Sequence, residues 1–378
     1  MALRASHDDY FTEEELDEED SQSQVSDESM VPLTEFSIYL SEERVYHPGE
    51  ELSGKVVLET KEEFELIGLE LEFTGEVYTY WTEVIANEKR EFHGQDTLFA
   101  AKRLLFGGYT HEQKGSIVHS SGKSIYEFKY TCPDILPSSF ESSEGCIRYC
   151  ITAYINASDD SNDHEVKVIL TILDNISTAD IIYQHELGGE EQKQVGCFCC
   201  CAGLLSFTST ISHGAYLPGE NINVLAKATN QTYRDMSAIK AKIEQVVIYF
   251  DNNDQHHVTR KVVVKVEGPS VGRNQTVNWK PTIQIPSTAP SIFNCHLIHV
   301  KYVLHVYVDI PWTVDLDVTC PIVVGTTPFN ISHDSSSTYR SVPGDDFVQV
   351  MEEDLHIRYT ANMLRYRPLY PFVVSQPT

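Results

Sequence analysis

Nine cysteines, 15 histidines and 56 acidic residues are the groups from which this 378-residue chain could build catalytic or metal chemistry. Their spacing builds little of it. The sequence holds no Gly-x-x-x-x-Gly-Lys-Ser/Thr phosphate loop, since Gly49–Lys55 has that spacing but Val56 stands where the hydroxyl belongs, and it holds no Gly-x-Gly-x-x-Gly turn, no Gly-x-Ser-x-Gly nucleophile elbow and no His-Glu-x-x-His zinc pair. The His-Glu pairs at His111, His164 and His185 lack a second histidine one helical turn further on. His296, His299 and His305 gather on one expected strand, but the first two, three apart, face opposite sides and cannot form one ligand face. No catalytic, cofactor-binding or metal-binding residue is therefore assigned.

Two other clusters carry chemistry. Cys197, Cys199, Cys200 and Cys201 crowd into five residues, where neighbours can neither bridge one another easily nor converge tetrahedrally on zinc. S-palmitoylation of the four, tethering an inter-domain linker to a membrane, is one reading. Packing as small apolar side chains at the start of a strand is the reading preferred. The second cluster is Arg367-Pro368-Leu369-Tyr370-Pro371 near the C-terminus. Pro368, Leu369 and Tyr370 in an exposed tail have the form of a polyproline-II ligand for the aromatic groove of a WW domain; chance proximity of Pro and Tyr is the other reading.

The elements that must position these groups are strands. Leu69, Leu71 and Phe73 alternate with Glu70, Glu72 and Thr74, and Ile239, Ala241 and Ile243 alternate with Lys240, Lys242 and Glu244. Val314, Leu316 and Val318 alternate with Thr313, Asp315 and Asp317 in the same way. A period of two marks half-buried antiparallel strands, and their recurrence between Pro-Gly, Gly-Gly and Asn-Asp breaks favours β-sandwiches over a parallel α/β sheet. Only 347–366 carries helical spacing, with Met351, Leu355, Tyr359 and Met363 four apart.

Charge is unevenly spread. The chain has a formal net charge of −28, and its first 30 residues hold 11 acids against one base, with little to bury; they read as a disordered acidic tail. Such acidity opposes nucleic-acid binding, because the chain repels a polyanion. There is no apolar run of about 20 residues to span a membrane and no apolar signal-peptide core, which places the protein in the cytosol.

The sequence also repeats itself. Tyr46-His47-Pro48-Gly49-Glu50 matches Tyr216-Leu217-Pro218-Gly219-Glu220 at an offset of 170. In such a turn Pro presets φ at one central position and Gly accepts φ > 0 at the next. Pro133, Pro137, Ser138, Phe140, Tyr149 and Tyr154 match Pro286, Pro290, Ser291, Phe293, Tyr302 and Tyr307 at an offset of 153. Two landmarks in the same order imply a duplicated unit. The expected layout is an acidic tail over 1–32, a sandwich over 33–180 and a linker with the cysteine run over 181–202. A second sandwich over 203–326 and a tail with the Pro-x-Tyr segment over 327–378 complete it.

These residues resemble the arrestins, and within them the α-arrestins, or arrestin-domain-containing proteins. The likeness spans roughly 34–329. It rests on Val45–Glu50 with Gly54-Lys55-Val56, on Leu136–Phe140 with Ile147-Arg148-Tyr149, on Gly214–Glu220, on Val306–Pro311 and on Pro321–Thr326. The resemblance implies an all-β fold of two tandem immunoglobulin-like sandwiches with disordered N- and C-terminal tails. It also implies a non-enzymatic adaptor that holds a membrane receptor or transporter cargo and recruits a HECT-type ubiquitin ligase through Pro-Pro-x-Tyr motifs. Cargo is then ubiquitinated, endocytosed and sorted through endosomes, so the adaptor would be cytoplasmic and peripheral to plasma membrane and endosome. Here Arg367 replaces the first Pro of the motif, which weakens the ligand. Phe140–Gly145 departs from the shorter Gly- and Lys-containing turn of relatives, weakening any anion-binding role. The alternative is an arrestin-fold scaffold or signalling regulator without ligase recruitment.

Overall fold

In the computed structural model the residues described are 33–42, 45–108, 115–157, 164–196, 203–327, 338–343 and 366–374. The acidic tail, the cysteine run and nearly all of the expected helix lie outside them.

The period-two segments form two sandwiches, each a pair of mainly antiparallel sheets. In the first, β1 (Leu33–Leu40), β2 (Glu51–Thr60) and β6 (Gly122–Thr131) make one sheet in the order β1-β2-β6. The facing sheet runs β4 (Glu88–Gly107), β3 (Phe64–Ile85), β8 (Gly145–Ala157) and β7 (Phe140–Glu141). Short β5 (Ile117–His119) joins β3, and β9 (His164–Leu170) joins β8. Phe73 of β3 stacks on Tyr130 of β6 with ring centroids 4.2 Å apart, closing the two sheets on one apolar layer.

The second sandwich pairs β10 (Leu187–Val195), β11 (Gly203–Ile211), β13 (Asn221–Asn230) and β16 (Gln275–Trp279), with β17 (Thr282–Gln284) also on β13. Opposite lie β12 (Ala215–Tyr216), β19 (Leu316–Val324), β18 (Ile298–Val308), β14 (Met236–Phe250) and β15 (His256–Val271). Strand β13 shows why the pattern folds this way: Ile222, Val224, Ala226 and Ala228 are buried while Asn223, Leu225 and Lys227 face water. Leu69, Leu71, Phe73, Ile239, Ala241 and Ile243 are all buried, as their alternation requires.

The duplication is visible in individual bonds. Glu50 N–H donates to His47 O over 3.1 Å and Glu220 N–H to Leu217 O over 3.0 Å, closing the two Pro-Gly turns. In each, the glutamate carboxylate reaches back to the first residue's N–H, at 3.1 Å for His47 and 2.8 Å for Leu217. Gly49 and Gly219 hold φ of +80° and +90°. Tyr149 OH donates to Pro137 O and Tyr302 OH to Ala289 O, at 2.5 and 2.6 Å.

The structure corrects four expectations. First, the serine equivalent to Ser291 is Ser139 rather than Ser138. Ser139 N–H donates to Ile172 O and Ser139 Oγ accepts from Ile172 N–H, as Ser291 does with Val324. The second copy carries one more residue before the next strand, so the offset of 153 holds only after it. Second, the polar stretch expected as linker is largely strand β10, paired with β11 from Leu187↔Ile211 to Val195↔Gly203. It is an edge strand with most of its residues in water, so its polarity imitates a linker. Third, Val314 precedes β19 and is exposed. Fourth, the C-terminal tail is not all outlying: β20 (Thr338–Pro343) pairs antiparallel with β21 (Leu369–Val374).

Candidate functional site

The Pro-x-Tyr segment lies in the cleft between the sandwiches, with Pro368, Tyr370 and Pro371 buried and Arg367 exposed. Tyr370 retains 2 % of its accessible surface. The cleft is floored by the same elements that close each sandwich. From the first, Leu170 at the end of β9 accepts a hydrogen bond from Tyr366 OH at 2.9 Å, and Thr171 Oγ1 lies 3.0 Å from that hydroxyl. Thr171 Oγ1 also accepts from Leu369 N–H at 3.2 Å, and Ser139 O accepts from Tyr370 OH at 3.2 Å. From the second, Pro218 O accepts from Val373 N–H at 2.9 Å. Burial pushes the Tyr366 phenol far above its ordinary range, so it stays a neutral donor.

Gly219 makes the close approach feasible. A Cβ built there would stand 2.2 Å from Val373 O, so β21 packs flush on this turn only because glycine occupies it. The equivalent Gly49 meets no such segment among the described residues; its nearest neighbour there would be the Asp134 carboxylate at 3.2 Å. Of the four turn residues singled out by the repeat, Pro218 and Gly219 therefore touch the candidate site and Pro48 and Gly49 do not.

The sandwiches also touch directly. The long β3–β4 hairpin leans on the β14–β15 turn: Thr79 Oγ1 donates to Phe250 O at 2.6 Å, and Gln95 N–H to Asn252 Oδ1 at 3.1 Å. Trp81 stacks on His257, whose Nδ1 lies 3.2 Å from Glu83 Oε1. Tyr249 OH donates to Ser142 Oγ at 3.0 Å, within the departing stretch 140–145. Next to it, Arg148 grips Glu141 through two bonds of 2.6 and 2.7 Å. Burial pushes the Glu141 carboxyl up while Arg148 pulls it back.

Among the described residues no group of three or more His, Cys, Asp or Glu could hold a metal ion. His305 is paired with Asp317 at 2.8 Å, and His296 precedes the strand that carries His299 and His305. Cys132, Cys146, Cys150, Cys295 and Cys320 are free and buried, and burial raises all five thiols, the opposite of what a nucleophile needs. Cys197, Cys199, Cys200 and Cys201 lie outside the described residues, between strand ends that pair with each other, Val195 with Gly203. No helix among the described residues is long and apolar enough to cross a membrane.

Reading the sequence as a loose tail missed the cleft contacts of Tyr366, Tyr370 and Val373. The signal was present in the run Leu369-Tyr370-Pro371-Phe372-Val373-Val374, which is as apolar as a buried strand.

Comparison with known proteins agrees with this architecture. Residues 36–178 match the N-terminal domain of arrestin (or S-antigen), and residues 201–329 match its C-terminal domain. Arrestin domain-containing protein 17 of Caenorhabditis elegans is 28% identical over 312 residues, covering 79% of this chain and 72% of the relative. Human arrestin domain-containing protein 4 is 28% identical over 291 residues, covering 75% and 69%. Thioredoxin-interacting protein of Sus scrofa is 24% identical over 311 residues, covering 80% and 77%.

Proposed function

The chain belongs to the arrestin family, among the α-arrestins, and from that premise we propose that it is a non-enzymatic adaptor linking membrane cargo to a WW-domain HECT-type ubiquitin ligase. Receptors or transporters are the cargo class, and endocytosis with endosomal sorting is the outcome. The two sandwiches supply the rigid body that holds cargo; Pro368, Leu369 and Tyr370 supply the ligase ligand. The adaptor works in the cytoplasm at plasma membrane and endosome, and acylation of Cys197, Cys199, Cys200 and Cys201 would add a tether.

The observation that carries this reading is a Pro-x-Tyr segment held by both arrestin domains. Its seat also sets a condition. A WW groove needs the tyrosine ring and the proline that the cleft buries, so ligase binding requires β21 to leave. The apparent affinity is then reduced by the fraction of molecules in which it is out.

Titration of a ligase WW domain with peptide 364–374 and with the full chain tests this. The peptide should bind, Tyr370→Ala should abolish binding, and the full chain should bind more weakly than the peptide. A peptide that binds no better than its Tyr370→Ala form favours the second reading, a scaffold or regulator without ligase recruitment. Burial of Tyr370 is the observation on that side.

A further inference from the structure

On the second sandwich, strands β18 and β19 depart from the rule that an outward sheet face is polar. At one end the rule holds: His305 pairs with Asp317 at 2.8 Å and lies 3.8 Å from Glu244, and Thr319 faces water. At the other end Val303 of β18 stands opposite Pro321 of β19, and both, with Val323, lie on the face turned away from the core. The connection between the sandwiches crosses this apolar end. Gly214 N–H donates to Tyr183 O and Val323 N–H to Gly214 O, each at 2.8 Å, which ties the connection to β19.

Between sheet face and connection lies a pocket of about 380 Å³, walled by Tyr183, Leu187, Phe293, Val303, Pro321 and Val323. Small-molecule sites run from about 300 to about 1,000 Å³, so it has the size of one. The core does not require the ring of Phe293. Ile292, bridged to Val300 as Phe140 is paired with Ile147, fills the equivalent core position with 1% of its surface exposed, whereas Phe293 keeps 50%. Ile181 and Ile182, next to Tyr183 in the chain, are exposed as well, so the connection adds more uncovered apolar surface than a solvated loop needs.

The polar groups at the pocket favour an anion. Lys301 and His185, both exposed, also line it, and neither forms an ion pair among the described residues. No carboxylate lines it, although the chain has 56 acidic residues. Other cavities among the described residues are lined by Glu127, or by Glu141 and Glu144. The Lys301 charge is felt along its strand: after burial, it is what holds the His299 imidazole below the ordinary range. We propose that this pocket binds a free fatty acid of medium chain length, its chain laid along Val303, Pro321 and Val323 against Phe293 and its carboxylate on the Lys301 ammonium. Burial of methylenes against this wall drives binding, and the cation selects the acid over the alcohol. The proposal does not depend on ligase recruitment, and its assay contains no WW domain.

Isothermal titration calorimetry of the full chain with dodecanoate, kept below the concentration at which it forms micelles, tests it. Dodecanoate should bind saturably. Octanoate, with four fewer methylenes, should bind about tenfold more weakly, and dodecanol about fivefold more weakly for want of the charge. Lys301→Met keeps the stem and should lower dodecanoate to the level of dodecanol. Phe293→Ser, at a position the core does not require, should weaken both ligands by about tenfold. Val303→Glu sets a carboxylate in the pocket and should abolish dodecanoate binding, while Ile135→Ser, exposed on the first sandwich, should change nothing. Wild type that does not bind dodecanoate, or Phe293→Ser and Lys301→Met that bind it like wild type with unchanged thermal stability, overturns the proposal.

Discussion

The Tyr370 hydroxyl donates to the main-chain carbonyl of Ser139 at 3.2 Å, although the two residues stand 231 apart in sequence. Ser139 spends its N–H and hydroxyl on Ile172, closing the first sandwich, so its carbonyl is the group left to face the cleft. The tyrosine that would serve a ligase is thus bonded to the same residue that seals the fold. On the proposed function, recruitment and closure would compete for one side chain.

Removing only the hydroxyl separates that bond from packing. Tyr370→Phe should cost about 1 kcal/mol, the net worth of one hydrogen bond, whereas Tyr370→Ala should cost about 3–4 kcal/mol by emptying a buried ring site. Urea unfolding followed by circular dichroism measures both; equal losses would place the ring outside the core.

The paired glycines give an internal control. Gly49→Ala and Gly219→Ala both force alanine to positive φ and should each cost about 1–2 kcal/mol. Only Gly219→Ala also drives a Cβ into Val373 O. Limited proteolysis should therefore cut at 366–374 faster in Gly219→Ala and at an unchanged rate in Gly49→Ala.

Arg148 and Glu141 form a buried, two-bonded ion pair. Arg148→Met leaves the carboxylate without its charge partner and should destabilise by about 3–5 kcal/mol, while adding Glu141→Leu should recover most of that loss. Chemical denaturation of the single and double variants decides; a double variant as weak as the single would show that burial of the pair's charge is not the cause.

Stability should also depend on pH through His119. It is buried between Phe64 and Phe106, with Nε2 2.9 Å from Tyr126 OH. Burial holds its imidazole below the ordinary histidine range, against a bond at Ser120 that raises it. The folded chain then binds this proton less readily than the unfolded chain, so its contribution is present above the unfolded pKa and is lost as pH falls through the folded one. Melting temperature should drop on acidification through that range, and His119→Phe should flatten the drop.

Four cysteines offer a last check on membrane attachment. Thiol capture after hydroxylamine treatment of cells should label the chain if Cys197, Cys199, Cys200 and Cys201 are acylated, and replacing all four by Ser should abolish the label. Labelling that persists in the variant would assign it to other cysteines.

What the sequence determined by itself is local. Side chains alternate across a strand, so Ile222, Val224, Ala226 and Ala228 betray a half-buried strand whatever lies beyond it. A Pro-Gly turn needs its own residues only, so the repeat of Tyr46–Glu50 at Tyr216–Glu220 was readable at once, and with it two sandwiches. Alternation has limits even so: Val314 fits the pattern and lies in a loop, because periodicity does not say where a strand starts. The tertiary structure decided the rest. Whether Leu187–Val195 is linker or edge strand depends on Gly203–Ile211 offering it hydrogen bonds, since an edge strand's residues can be polar. Whether Tyr370 hangs in water or fills a cleft depends on Ser139, Thr171, Pro218 and Gly219, which are more than 150 residues away. Burial belongs to the surface that covers a side chain, and that surface exists only once both sandwiches have closed.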